Sequence, residues 1–453
     1  MWFLKQTALA AGIGSAVLVP MVFAQETDNN VATGSQSALS FQLGVETGRN
    51  LDLQDGADDQ DTELNSGVSY DYTRITRLSS FRLGTVLRWV IDDDGDDLFL
   101  PSGGIGYSYL GSRSRFNFNL RHTRTKVTDQ SVYLDDTTGA VLDYDGVGQR
   151  GLTQLEFNAE SGLDEPIGYK FDYRLEDLKY HDSPSRSDEE SRHEFYDIGL
   201  RLTPNKVMRH QLTLHRDIYK VEDSVDTRRA TNRITWETER QINAVLTLVG
   251  AISYSQIDTE RTVGDDSKDG FGFNLNVIRE DSLGQYRLGL QNIATSTGQR
   301  TQVSMQRARE MVDGQITYMV GLSESDLGGM NWIGSARLNK ELRRDDLSLN
   351  FQRRIYNSTD DNEITVTRLE AGVSHDLSEI TGLNFSLIGT LTNESDGPDE
   401  TRVDAEMAWE RALPRQAKLE AGLRARLADD NIGEDARSHS LFVTLSRDLD
   451  FLH

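Results

Sequence analysis

From Ser37 to the end of the chain a single pattern repeats: runs of about ten residues in which apolar and polar side chains alternate, divided by turn-rich stretches. Leu39, Phe41, Leu43 and Val45 share one parity, as do Phe81, Leu83, Leu87 and Trp89. The same holds for Leu155 and Phe157, for Tyr169, Phe171 and Tyr173, for Leu248, Ile252 and Tyr254, and for Leu383, Phe385 and Leu387. Leu441, Val443 and Leu445 close the series. Successive side chains of a strand stand on opposite faces, so a period of two marks a sheet with one apolar face and one polar face. No stretch after the N-terminal segment sustains a helical period. Length alone would suggest several domains, but unbroken repetition of one pattern points to a single all-β sheet.

The connections between runs alternate in length. Short ones fall near Thr76, Gly111, Asp164–Pro166, Thr203–Lys206, Glu239–Ile242, Glu280–Gly284, Met311–Gly314, Glu341–Arg344, Glu379–Gly382 and Leu413–Arg415. Longer, mostly acidic ones fall near Gly48–Asp61, Asp92–Asp97, Arg124–Arg150, Asp177–Arg192, Lys220–Arg229, Asp258–Asp269, Thr295–Gly298, Glu324–Gly328, Asn357–Glu363, Asn393–Thr401 and Ala428–Ser438. Short turns on one side and long loops on the other are the pattern of a transmembrane β-barrel, and strands of about 9–11 residues are long enough to cross the hydrocarbon when tilted. The expected fold is all-β: a transmembrane antiparallel β-barrel of about 22 strands, within a range of roughly 18 to 24. A sheet in lipid has to close, because an open edge leaves backbone groups unpaired.

The N-terminus carries Lys5, an apolar run from Ala8 to Val22 and Val22-Phe23-Ala24 before Gln25, which reads as a signal peptide over residues 1–24. Residues 25–37 then form a short periplasmic segment, too short for a plug domain, and residues 38–453 form the barrel. The expected location is the outer membrane, reached through the periplasm. The chain has no cysteine, which excludes disulfide and zinc-thiolate scaffolds. A net charge of −25 argues against nucleic-acid partners. A mean hydropathy of −0.53 is low for a helical membrane protein yet compatible with a barrel, since only every second strand residue faces lipid.

The polar parity supplies the candidate site. It carries Arg82, Arg88, Arg115, Arg121, Arg174, Arg201, Arg233, Arg287, Arg337, Arg368 and Arg424, with Asp172, Asp197, Glu237, Glu370, Asp404 and Glu406 among them. Burying so many charges dry would be prohibitive, so these residues are expected to line a water-filled lumen. On the apolar parity, Tyr72, Tyr169, Trp236, Tyr286, Tyr318 and Trp409 lie near short turns and Trp89, Tyr254 and Trp332 near long loops, as two headgroup belts require. The longest loop, Arg124–Arg150, has two readings. It could fold inward as a constriction, like the third loop of general porins, or extend the strand pair above the membrane.

Other motifs are weaker. Asp92 and Asp94 lie in an acidic run, and Asp265 and Asp269 belong to a D-x-S-x-D-G stretch with calcium-loop flavour. Its twelfth position is Asn276 rather than the glutamate of an EF-hand, so the expectation is at most loosely bound Ca2+ or Mg2+ at outer loops. His122, His210, His215 and His375 fall on strands without a nucleophile motif. Leu441 to Phe451 keep one parity, as in the assembly signal on the last strand of bacterial barrels, although Leu452 and His453 follow the aromatic.

The cleaved signal, the Arg-studded alternating strands and the acidic loops together resemble the β-barrel porins found with exopolysaccharide export systems. The resemblance spans the whole mature chain but is one of pattern, with no site residues to carry over. It implies an outer-membrane exit for polymer and export components as partners. Outer-membrane lipid, lipopolysaccharide and the barrel assembly machinery are the other expected partners. The leading expectation is therefore a channel, either a diffusion pore or a polysaccharide duct. The alternatives are a surface-interaction barrel whose acidic loops bind partners or cations, and an outer-membrane hydrolase.

Overall fold

The computed structural model describes residues 33–51, 53, 57–92, 98–126, 148–181, 190–222, 225–357, 362–394, 399–429 and 435–452. The signal peptide, most of the segment that precedes the barrel (and with it the expectation that no plug is present), Asp94 and the tip of the Arg124–Arg150 loop lie outside these residues.

Twenty-two strands form one sheet. They are β1 (Gly34–Arg49), β2 (Gln60–Ile75), β3 (Ser79–Asp92), β4 (Leu98–Leu110), β5 (Ser114–Lys126), β6 (Gln149–Ser161), β7 (Ile167–His181), β8 (Ser191–Asn205), β9 (Met208–Val221), β10 (Arg228–Asn243) and β11 (Leu246–Glu260). The ring continues through β12 (Asp266–Asp281), β13 (Gly284–Thr295), β14 (Gly298–Met311), β15 (Gly314–Ser325), β16 (Gly329–Glu341), β17 (Asp345–Asn357), β18 (Glu363–Ser378), β19 (Thr381–Glu394), β20 (Glu400–Leu413), β21 (Ala417–Asp429) and β22 (Ala436–Leu452). Each strand pairs antiparallel with its neighbours in sequence, and β22 pairs with β1 from Gln36↔Leu452 to Arg49↔His439, which closes the barrel. One circuit of the ladders carries the register up by about 26 residues, which corresponds to a strand tilt of about 40°.

The short turns are built by local chemistry. Asn205, Asn243 and Asp281 each accept the backbone N–H two residues on, at Val207, Val245 and Leu283. Gly284 and Gly314 follow at φ 141° and 154°, where an added Cβ would lie 2.1 Å from the carbonyl oxygens of Ala308 and Asn339.

The apolar parity faces outward. Leu43, Ile198, Ile252, Leu288, Val303, Val320, Leu423 and Leu441 are all exposed, which in a closed barrel means exposed to lipid. The belt aromatics Tyr169, Tyr286, Tyr318, Trp89, Tyr254 and Trp332 are exposed on the same face. At the short-turn lip the Arg307 guanidinium lies 3.6 Å from the centre of the Tyr286 ring.

Strand ends depart from expectation. Strands run 12 to 17 residues rather than about ten, because the wall continues beyond the hydrocarbon on the long-loop side. Consequently Arg124 and Lys126 belong to β5, Gln149 and Arg150 to β6, and Asp258 and Asp269 to β11 and β12. Thr295–Gly298 and Glu324–Gly328 are tight turns rather than long loops.

Three ladders stop short on that side. β4 and β5 pair only up to Gly103↔His122, β12 and β13 up to Phe273↔Asn292, and β16 and β17 up to Gly334↔Arg353. Each seam opens after eight or nine residue pairs above the short turn, close to the roughly 9–11 residues a tilted strand needs to cross the bilayer. Above that level the strand edges lie beyond the hydrocarbon, and Leu100, Thr125, Ala294, Ile333 and Ile355 on them are buried.

Candidate functional site: the lumenal face

Every candidate charged residue lies on the parity opposite the lipid-facing one. Arg82 and Arg88 stand on β3, Arg115 and Arg121 on β5, Asp172 and Arg174 on β7, Asp197 and Arg201 on β8, and Arg233 and Glu237 on β10. Arg287 is on β13, Arg337 on β16, Arg368 and Glu370 on β18, Asp404 and Glu406 on β20, and Arg424 on β21. Closure of the sheet gathers them around one interior. They do not form a single cluster; they form a two-signed coat.

The coat changes with height. In the half nearer the short turns, Arg287 and Arg337 are exposed although they point away from lipid, so the described residues leave that part of the interior unfilled. Towards the long loops the interior tightens. Leu100, Val90, Val366, Ser255, Ser323, Arg402, Glu406, Arg426 and Ser440 are buried there. A cavity of about 390 Å³ runs along the inward face from Glu46, Arg88 and Arg121 down to Asp71, Glu410, Lys418 and Glu420 near the short turns, and Gly44, Gly67 and Gly84 make room along it.

Many charges of the lumenal face are paired, at both heights. Arg424 on β21 reaches Glu46 on β1 at 2.9 Å and Glu406 on β20 at 3.0 Å, with side-chain exposures of 10%, 6% and 9%. Ser440 donates a further hydrogen bond to Glu46. Arg88 donates to Asn65 at 2.8 Å, Arg402 meets Asp404 at 3.1 Å and Arg368 meets Glu370 at 2.6 Å. Arg233 donates to Ser255, and Arg201 holds the carbonyl of Leu163 at 2.9 Å. Arg174 lies over the Phe195 ring at 5.3 Å, and Asp172 takes Lys170 at 2.6 Å. Pairing of this kind is what permits charge in a partly desolvated interior.

His193 and His215 join this network, whereas His122, His210 and His375 stand on the lipid-facing parity. His215 bonds Asp197 at 2.9 Å, His193 bonds Asp217 at 2.8 Å and His375 bonds Asp345 at 2.6 Å, while His122 and His210 bond Thr153 and Thr238. Among the described residues no group of three or more His, Asp or Glu side chains is arranged to hold a metal ion. Asp269, expected in a loop, lies in β12 and accepts a hydrogen bond from Tyr254 at 3.0 Å, while Asp265 lies in the turn before that strand. Asp92 ends β3.

Sequence reasoning passed over Glu46, Glu63, Lys126, Arg300 and Glu363, all buried at the long-loop end. Glu46 and Glu63 keep the inward parity of β1 and β2 and could have been found by extending each strand. Lys126, Arg300 and Glu363 carry no local signal, because their partners lie on strands that are not sequence neighbours.

No family model and no curated protein matches the chain. Solved structures match in shape. The ferric-catecholate import receptor Fiu from E. coli K12, in its open form, superposes with a TM-score of 0.59 at 9% identity, over 92% of this chain and 82% of that one. The FrpB iron transporter from Neisseria meningitidis gives 0.58 at 7% identity, over 93% and 82%. The siderophore receptor PirA from Acinetobacter baumannii gives 0.53 at 8% identity, over 92% and 81%. At such identities the likeness is one of fold. None of these three structures is an exopolysaccharide exit porin, so the resemblance to that group extends only to the barrel itself. The chain is a closed 22-stranded antiparallel β-barrel of the outer membrane.

Proposed function

We propose that this barrel is a transport channel, a water-filled conduit whose two-signed lumen selects polar solutes by charge and width. The observation that carries the reading is the exposure of Arg287 and Arg337 on the inward face of a sealed wall: guanidinium groups there are stable only in water, and water inside a closed barrel is a path. The closely packed long-loop end argues for a restricted conduit over a wide-open diffusion pore. A polymer duct remains one form of the same reading, with polysaccharide-export components as its partners.

The direct experiment is single-channel recording of the refolded, heat-modifiable protein in planar bilayers, under a salt gradient. Steady current with a charge preference supports the reading. A folded barrel that passes no ions at any applied voltage would sink it.

A second reading follows from the fold. The structures it resembles are named as receptors and transporters of iron chelates, so the rim could capture a ligand before passage. Binding of ferric catecholates to the detergent-solubilised barrel, followed by quenching of its tryptophans, tests that form.

A further inference from the structure

The three short ladders divide the long-loop half of the wall into three sectors: β5–β12, β13–β16, and β17–β22 together with β1–β4. Within each sector the strands stay paired into the upper half. Between sectors, side chains take over from the backbone. Lys126 on β5 pairs with Glu63 on β2, beyond the β4/β5 seam, with side-chain exposures of 5% and 8%. Lys268 on β12 donates to the carbonyl oxygen of Ser296, in the turn after β13, across the β12/β13 seam. Arg300 on β14 pairs with Glu363 on β18 at 2.8 Å, donates to the carbonyl oxygen of Ile355 at 3.1 Å and to the Asn357 side chain, all beyond the β16/β17 seam. Each seam is bridged by at least one cation, and other contacts cross as well: the Arg124 N–H donates to Ser102, Ser325 donates to Glu363, and Arg353 lies over the Trp332 ring.

We propose, resting on the channel reading above, that this half of the barrel is a three-sector outer gate, latched shut by Lys126, Lys268 and Arg300. Two arguments support a gate over a merely irregular wall. First, each seam ends at the top of the hydrocarbon zone. Parting the sectors exposes strand edges to water, where their N–H and C=O groups are satisfied, while the lipid-facing ring stays closed. Second, two of the latches, Lys126–Glu63 and Arg300–Glu363, are buried ion pairs, while Lys268, 41% exposed, holds a backbone carbonyl. Burying a lysine, an arginine or a glutamate costs hydration that the pair only roughly recovers, so closed and parted states lie close in free energy. A single backbone ladder would have locked the wall; a hydratable pair leaves it bistable. Opening would join the lumenal cavity to the outside and admit a polar solute wider than the closed interior.

The test uses the full-length refolded protein. The chain has no cysteine, so Ser323→Cys on β15 gives a single reporter at a fully buried inward position, beside the strand that carries Arg300. Lys126→Gln, Lys268→Gln and Arg300→Gln are added singly and together, and heat-modifiability confirms that each variant is a barrel. Labelling by a water-soluble, membrane-impermeant maleimide should accelerate with Arg300→Gln, and on the order of tenfold or more in the triple variant. Single-channel conductance should rise several-fold in parallel. Labelling and conductance both unchanged, in a barrel that conducts, would overturn the latches. Faster labelling with no current in any variant would uphold the latches and overturn the channel reading instead. Should the triple variant fail to fold, Lys126→Cys with Glu63→Cys, joined by a reducible bismaleimide, locks one seam. Conductance must then fall on cross-linking and recover on reduction, and an unaffected conductance refutes the gate.

Discussion

Replacing Arg424 by alanine tests how dry the upper lumen is. Its guanidinium serves two carboxylates, Glu46 and Glu406, and all three side chains are at least nine-tenths buried. Removing the cation leaves two negative groups facing each other, with the Ser440 hydroxyl as the one remaining side-chain donor to Glu46 among the described residues. Truncating one member of a buried ionic group costs about 3–5 kcal/mol, mostly the penalty of stranding its partner. Arg424→Ala should therefore lower unfolding stability by about that amount, seen as a shift of the urea midpoint in detergent micelles followed by tryptophan fluorescence. The control is the triple change Arg424→Met, Glu46→Gln, Glu406→Gln. It removes the charges together and should recover most of the loss, to within about 1–2 kcal/mol of the native chain. If Arg424→Ala costs less than about 1 kcal/mol, the site behaves like a solvated surface pair. The argument that the upper lumen is packed would then be wrong.

Other consequences can be measured directly. Arg88→Glu or Arg121→Glu should move the reversal potential in a salt gradient towards cation preference; an unchanged reversal potential would mean ions do not pass this side of the lumen. Leu288→Arg, at mid-height on the lipid face, should cost about 2–4 kcal/mol in lipid vesicles, whereas the same change at inward Gln306 should cost less than about 1 kcal/mol. Equal costs would reverse the assignment of faces. Gly314→Val places a β-branched residue at φ 154° against the Asn339 carbonyl; the expected loss is about 1–3 kcal/mol, read from the unfolding midpoint.

Much of the architecture was legible because lipid imposes a simple rule. A wall one residue thick, with hydrocarbon on one side and water on the other, must alternate, so Leu43, Ile252 and Leu441 announce their face and Arg88 and Arg424 theirs. The strand number followed from the alternating connection lengths. What parity cannot tell is where a strand stops. Beyond the hydrocarbon nothing demands an apolar outer face, so the tops of β5, β6, β11 and β12 looked like loops. Asp269 was misplaced for this reason, in a stretch whose composition mimics a cation loop but whose backbone is paired with β11. Reach was equally hidden. Glu46 and Arg424 are 378 residues apart in sequence, and only the closing of the ring brings them together. Thr295–Gly298 and Glu324–Gly328 read as loops because turn-forming residues mark a break, not its length.

The joining of β1 to β22 also bears on how the chain is made. β22 closes the ring against β1, and until the two meet the sheet carries two raw edges that no lipid can satisfy. Partial barrels are thus not smaller versions of the whole. Deleting β22 should not trim the protein by one strand but forfeit insertion altogether, leaving a soluble, protease-sensitive chain in the periplasm. The ring is the smallest unit that can exist in the membrane, and the C-terminal residues from Ala436 onward decide whether it forms at all.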